Sequence, residues 1–405
     1  MSGIKVLQIS TVCGSGSVGR IVLDIYHILE KNGDTPLIAY GRRKAPQGIR
    51  AYRFGSPADM AVHVISTFFK GEHGFASAAQ TRRLIGRIRT WNPDVIHLHN
   101  LHGFVLQVEL LFAYLKKAGK PVVWTLHDCW SYTGHCAFYD YTGCTGWKSG
   151  CTECEEYRRT YPYALFKNRT ARNYIRKKEA FTGVPRLTLA VPSEWLKKEA
   201  EQSFLKEYPI KVIPNGIDRK IFRPLDGGLR QKLGLSETFV ILGVANVWER
   251  RKGLQYLIRL AQKLPPDYRV VLIGLSKKQL RSLPKNIMGF TRTSSADELA
   301  EYYSMADVFV NTTLEDNFPT TNLESLACGT PVITFDTGGS PESIDESCGR
   351  IVPKGNEDAL LQAVLEERRK PKSRSACLKR AEQYEREERF LEYVKLYYES
   401  AGQGE

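Results

Sequence analysis

The chain has 405 residues, 42% hydrophobic and 25% charged, with a formal net charge of +14 at pH 7. That length accommodates two domains of ordinary size, each with its own core, and the composition is that of a globular chain. No apolar run reaches the ~20 residues of a membrane span. No helix-turn-helix or aromatic RNP-like run accompanies the positive charge, which argues against nucleic acid as a partner.

Residues 1–9 read as a strand-forming segment and not as a signal peptide, because the apolar core is short and no cleavage site follows; a cytoplasmic protein is expected. A strand at 5–10 leads into Gly14-Ser15-Gly16-Ser17-Val18-Gly19 and a helix at 18–33, with Val22, Ile25, Tyr26 and Leu29 on one face. GxGxxG between strand and helix is the dinucleotide fingerprint. Its usual acidic ribose contact has only Asp34 as a candidate, which precedes the second strand (36–40) instead of ending it. The broader expectation is that these glycines let a ligand or a facing domain approach the backbone closely.

An amphipathic helix at 76–90 precedes a strand at 94–99, on which His97 and His99 share a face and read as structural. A helix at 104–118 and a strand at 121–126 follow, ending at His127-Asp128. A histidine at a strand's C-terminal end can bond a sugar hydroxyl or stabilise charge. Next comes an insertion at about 129–154 that carries Cys136, Cys144, Cys151 and Cys154, with Cys129 upstream. The Cys-x2-Cys end has zinc-knuckle spacing, and four thiolates would close a structural tetrahedral site; reduced free thiols are the other reading. The insertion is expected to lack a core of its own. Residues 158–178 interleave Lys and Arg with Tyr161, Tyr163, Leu165, Phe166, Tyr174 and Ile175, which suits contact with anionic lipid headgroups or a solvated helix face.

A strand at 187–191, a helix from 193 and a short strand at 211–214 complete the first half. Asn215-Gly216-Ile217-Asp218 is a turn by its chemistry, and 215–237 reads as a linker. The second half repeats the alternation: strand 238–244, helix 253–263, strand 269–273, helix 296–304, strand 306–310, helix 319–328, strand 331–335, and a final helix at 372–400. The domains are therefore 1–214 and 238–380, with 381–405 expected to pack back on the first. Strands alternating with helices predict an α/β protein of two doubly wound parallel sheets, with the ligand site in the cleft between them.

The second half concentrates the charge chemistry. Arg250-Arg251-Lys252-Gly253 follows a strand and opens a helix, where cations suit a diphosphate leaving group. In the stretch 314–342, Asp316 lies eight positions before Glu324. One sits at the mouth of a helix and the other about a turn inside it. The amides of Phe318, Thr320 and Thr321 at that helix start favour a phosphate. Two acids flanking an anion-binding helix end suit a nucleotide sugar.

The Gly-rich loop, 94–99, Thr125-Leu126-His127-Asp128, Pro214-Asn215-Gly216-Ile217-Asp218, Arg251-Lys252-Gly253, and the acid-x7-Glu stretch with its trailing Gly329-Thr330-Pro331-Val332 and Gly338-Gly339 occur in an order that resembles the retaining GT-B glycosyltransferases of glycosyltransferase family four. The Cys-rich insertion is similar to that of colanic acid and exopolysaccharide biosynthesis transferases. The resemblance implies two Rossmann-like domains facing a central cleft. It implies a nucleotide-sugar donor held mainly by the C-terminal domain and a lipid-linked saccharide acceptor held mainly by the N-terminal one, at the inner face of the cell membrane. Glu324 would then hold the ribose; Asp316, Asn317 and the amides of Phe318, Thr320 and Thr321 would hold the transferred sugar. Lys252 would neutralise the diphosphate, Gly14 and Gly16 would approach it, His127 would contact the sugar, and Asn215 would line the cleft. No cofactor is implied for catalysis. Asn246 and Val247 stand where the family carries an arginine, so Arg250 or Arg251 would supply the second cation. A hydrolysing nucleotide-sugar epimerase and a non-catalytic nucleotide-sugar-binding protein are the alternatives.

Overall fold

The computed structural model describes residues 3–402. The first two residues of the expected N-terminal strand segment and the last three of the segment 381–405 lie outside the described residues. The chain divides into two units, Met1–Pro214 with Glu387–Glu405, and Asn215–Arg386.

In the first unit the elements run β1 (Lys5–Ser10), α1 (Gly16–Lys31), β2 (Thr35–Tyr40), β3 (Ala51–Arg53), α2 (Pro57–Lys70), α3 (Ala78–Trp91), β4 (Val95–Leu98), α4 (Val108–Ala118), β5 (Val122–Thr125), α5 (Gly146–Ser149), α6 (Thr170–Phe181), β6 (Leu187–Val191), α7 (Glu194–Glu201) and β7 (Ile210–Val212). The strands pair in parallel in the order β3-β2-β1-β4-β5-β6-β7, with Leu7 opposite Leu37 on one side and Ile96 on the other. β4 and β5 are buried at every position, as parallel strands covered on both faces must be. The short strand β3 and the helix α2 have no counterpart in the sequence-based element list. β3 is only three residues long, and α2 exposes apolar side chains, which blurs the usual helical pattern.

The insertion has no core separate from that of the first unit, as expected, but its aromatic side chains are buried in that shared core. Trp130, Tyr132, Ala137, Tyr139 and Trp147 are buried and join the cluster that includes Leu126 and Phe181. The Tyr139 hydroxyl donates to Glu199 at 2.5 Å, and Trp147 lies 5.1 Å from both tyrosine rings. Lys177, expected on a solvated or lipid-facing surface, is buried too. Its ammonium donates to the carbonyls of Trp130 (2.6 Å) and Thr133 (3.0 Å) and sits 3.6 Å over the Trp130 ring. Three aromatic and carbonyl partners replace its water, and burial still lowers its pKa to about 7.

The second unit contains α8 (Leu229–Lys232), β8 (Phe239–Val244), α9 (Leu254–Lys263), β9 (Tyr268–Ile273), α10 (Lys277–Arg281), β10 (Ile287–Phe290), α11 (Ala296–Met305), β11 (Val308–Asn311), α12 (Thr320–Ala327), β12 (Val332–Phe335), β13 (Gly349–Val352), α13 (Glu357–Arg369) and α14 (Arg374–Glu382). Its parallel order is β10-β9-β8-β11-β12-β13. Residues 215–237, read as a linker, belong to this unit. Ile217, Phe222 and Leu235 are buried in its core, and Ile217 exchanges backbone hydrogen bonds with Tyr384 and Arg386. That exchange also breaks the expected final helix in two. α15 (Arg386–Ala401) follows, and from Glu387 onward it belongs to the first unit.

α15 buries Phe390, Tyr393, Val394 and Tyr397 against Val6, Ile21, Ile25, Val95 and Val123. Thr125 donates to the Tyr393 hydroxyl (3.2 Å) and lies 2.7 Å from His97 Nε2, which therefore carries the proton. His97 Nδ1 then accepts from the Tyr397 hydroxyl at 2.6 Å. Tyr397→Phe leaves that nitrogen unsatisfied in the core. Unfolding in urea should show a loss of about 1–3 kcal/mol with an unchanged m-value.

Candidate active site

In a parallel sheet, ligands bind beyond the strands' carboxyl ends where the order reverses. In the second unit that reversal lies between β8 and β11. The loop after β8 carries Arg250, Arg251 and Lys252, and the loop after β11 carries Glu315, Asp316 and Asn317.

These two loops are tied together. Leu314 N–H donates to Arg251 O (2.7 Å), and Arg251 Nη1 donates to Glu315 O (3.2 Å). Lys252 Nζ meets Asp316 Oδ2 at 2.5 Å, with side-chain exposures of 22% and 17%. Burial alone would raise the Asp316 carboxyl. The Lys252 ammonium, the Arg251 guanidinium and hydrogen bonds from Lys252 and from Phe318 N–H outweigh it and hold the group below the usual carboxylate range. Burial lowers the Lys252 ammonium, against the pull of Asp316. The pair is thus ionised at neutral pH. Gly338, at φ +53°, closes the loop from the other side: a Cβ there would meet Asp316 O at 1.9 Å, so the backbone must be bare.

The sequence placed Arg250–Lys252 at the opening of a helix. They form a separate 3-10 turn, and α9 begins at Leu254. Phe318 N–H, expected to be available for a phosphate, is engaged by Asp316. Thr320 and Thr321, half-buried, begin α12, where the first turn of N–H groups lacks intrahelical partners. Asn215 Nδ2 donates to Phe318 O at 3.0 Å and so anchors the entrance to this helix. Glu324 is 4% exposed, and one of its oxygens accepts from Tyr303 at 3.0 Å. Glu315 and Asn317 are buried, whereas Asn246 and Arg250 are exposed. Tyr303 was missed by sequence reasoning, since its distance from Glu324 in the chain gives no signal.

In the first unit the order reverses between β1 and β4. Gly14 and Gly16 follow β1 with φ +71° each, and a Cβ at Gly16 would meet nothing within 4 Å. The loop is therefore open there. Asp34 takes no part; its carboxylate accepts from Ile4 N–H and the Tyr398 hydroxyl. His127 follows β5 and leans on a buried relay. Gln8 Nε2 donates to Val22 O (3.0 Å), so its Oε1 accepts from His99 Nε2 (3.1 Å). His99 Nδ1 then accepts from His127 Nε2 (3.1 Å), which makes Nδ1 the basic nitrogen of His127. Burial pushes His127 down to about 4, opposed by Asp128. Asp128 itself bonds His102 Nε2 at 2.6 Å, a pairing that only the fold reveals. His102 does follow three positions after His99, beyond the end of β4, and that spacing could have marked it.

The four insertion cysteines are electrostatic neighbours: burial raises the Cys136 thiol, and Cys154, Cys151 and Cys144 raise it further. Among the described residues, however, no group of three or more His, Cys, Asp or Glu side chains is arranged to hold a metal ion. A closed tetrahedral site would need these thiols to draw together.

A family model described as Glycosyltransferase Family 4 matches residues 18–220, half of the 405 residues. The chain belongs to this family. A second model, described as Glycosyl transferases group 1, matches residues 228–384 of this glycosyltransferase. It is 26% identical over 382 residues, 89% of each chain, to WcaC of Escherichia coli (strain K12), a glycosyl transferase assigned to colanic acid biosynthesis. Among solved structures it is similar to sucrose-phosphate synthase from Thermosynechococcus elongatus (TM-score 0.70, 17% identity, 98% of each chain covered). It is also similar to Anabaena Alr3699/HepE in complex with UDP (TM-score 0.68, 16% identity, covering 98% of this chain and 100% of that one). The two Rossmann-like parallel-sheet units of this glycosyltransferase are those of the GT-B fold.

Six of the eight histidines are held neutral by burial: His63, His127 and His135 at about 4, and His73, His97 and His99 well below their ordinary value. The unfolded chain takes up protons near pH 6.5 that the folded chain refuses. Stability is therefore full above that pH and lost as pH falls from 6.5 toward 4, by up to ~1.4 kcal/mol per pH unit per histidine. Urea titrations at pH 7 and pH 5 should show this fall, with a shallower slope in His99→Gln.

Proposed function

We propose that this glycosyltransferase moves a sugar from a nucleoside-diphosphate donor, with retention of anomeric configuration, to a lipid-linked oligosaccharide or polysaccharide precursor. The observation that carries the reading is the ionised Lys252–Asp316 pair, with Arg251 beside it, where the strand order of the second unit reverses. The cations there match the two negative charges of a diphosphate, and the α12 amides add a favourable helix end. UDP bound to the similar Anabaena protein and the colanic acid role of the E. coli relative support a nucleotide-sugar donor and a polysaccharide product.

In this reading the donor's C–O bond breaks toward an oxocarbenium-like transition state, and the largest demand is the charge on the departing diphosphate. Lys252 turns from Asp316 to that phosphate, with Arg250 or Arg251 taking the place of the arginine absent at Asn246. Asp316 and Asn317 hold the transferred sugar and Glu324 the ribose. His127, neutral and basic at Nδ1, accepts a hydrogen bond from a sugar hydroxyl.

Incubation with UDP-, GDP- and ADP-sugars and a polyprenyl-linked acceptor should release nucleoside diphosphate, and Lys252→Ala should lower kcat by about 10²–10³-fold, as loss of one charge-stabilising donor does. No release with any common donor sinks the proposal. Consumption of donor without acceptor, to give an epimerised sugar, would favour the epimerase. The spacing Cys136, Cys144, Cys151 and Cys154 supports a structural zinc as a separate proposal: metal analysis of purified protein should find one equivalent, and none would dismiss it.

A further inference from the structure

α2 is inverted. The polar His63 and Thr67 face inward and are fully buried, while Val62, Ile65 and Phe69 are 62%, 58% and 54% exposed. These three recur at helical spacing and so form one stripe. The stripe continues onto a second segment. The Phe69 ring stacks on Phe166 at 4.9 Å and 9°, and Leu165 N–H donates to Phe68 O at 2.9 Å. Leu165 and Phe166 are themselves 46% and 61% exposed.

The inward face of α2 explains the inversion. His63 Nδ1 lies 2.8 Å from Ser77 Oγ, and His63 Nε2 accepts from Gly74 N–H. Thr67 donates to His63 O and lies 3.2 Å from His73 Nδ1. Polar partners thus fix which side faces in, and the apolar side is left on the surface. Exposed cations border it: Lys70 ends α2, Lys167 follows Phe166, and Arg172 lies at the start of α6. Gly71 packs close to Lys167 O and the Arg169 side chain, which brings this rim together. Of the acids nearby, Glu72 pairs with Arg172 and with Arg176, which leaves Lys70 and Lys167 as the cations offered to a partner, and Asp59 pairs with Arg83.

We propose that the Val62–Ile65–Phe69 stripe, with Leu165 and Phe166, is a docking surface for an anionic lipid bilayer. The apolar side chains enter the boundary between headgroups and acyl chains, and Lys70 and Lys167 meet the headgroup phosphates. A row of exposed apolar side chains with exposed lysines at one end is complementary to such an interface. The surface stands apart from the glycosyl-transfer reading, and its test requires no sugar transfer.

The full chain should be sedimented with phosphatidylcholine vesicles and with phosphatidylcholine–phosphatidylglycerol vesicles. Binding to the anionic vesicles should be at least tenfold tighter and should weaken at high salt. Val62→Ser with Ile65→Ser and Phe69→Ser should reduce it by an order of magnitude or more, with the melting midpoint unchanged. Lys70→Glu with Lys167→Glu should reduce it by roughly fivefold or more per cation. Equal binding to both vesicle types, or undiminished binding by both variants, overturns the proposal. So does a dimer in sedimentation velocity that the triple substitution dissociates, since the stripe would then be covered by a second copy.

Discussion

A parallel sheet must be covered on both faces, and each crossover returns the chain to the same edge. Both units are built under that constraint. All strand pairs are parallel, and the order reverses once in each sheet, between β1 and β4 and between β8 and β11. The residues given a chemical role are therefore carried on loops after strands or, like Glu324, in the helix that follows such a loop. The strands supply rigidity, with β4, β5 and β12 buried at every position, and β1 adds Gln8 to the histidine relay.

Electrostatics then decides how the second-unit site is held before any ligand arrives. A half-buried carboxylate is stable only with cations beside it, and Asp316 has Lys252 and Arg251. The same cations suit a diphosphate. In the proposed reaction an incoming donor would compete with Asp316 for Lys252, and the pair would hold the place of the ligand's charge. Arg251 acts differently, since its guanidinium also bonds Glu315 O and so ties the two loops into one surface.

In the first unit the corresponding device is neutral. His127 rests on His99, which rests on Gln8, and each hydrogen bond fixes the next proton. Burial keeps these rings uncharged, so the arrangement is a set of oriented dipoles rather than a charge cluster. The same desolvation that fixes the His127 tautomer makes the fold sensitive to acid. His97 couples this network to α15 through Tyr397 and Thr125, so a C-terminal helix contributes to the order of residues near the β5 loop.

Alternating apolar runs and helical spacing suffice to predict two parallel α/β units, because strand and helix periods are local properties of the chain. The Gly-rich loop, Lys252, Asp316 and Glu324 were legible for the same reason: each sits at a fixed offset from a strand end or a helix start. Three-residue β3 and inverted α2 were not, since a very short strand has no period and a helix with polar groups inside carries a misleading one. The burial of the insertion's aromatics in the shared core was hidden by its polar composition, because Trp147 and Tyr139 find their partners only when Tyr132 and Glu199 fold over them. Lys177 read as a surface cation, and only two carbonyls and a tryptophan ring brought to it by tertiary packing make its burial tolerable. The sequence by itself determined which residue types stand at which loop. The tertiary structure alone decided that Phe318 N–H is spent on Asp316, that Tyr303 holds Glu324, and that His99 sets the proton on His127, because each of these pairings joins groups whose separation along the chain carries no information about their separation in space.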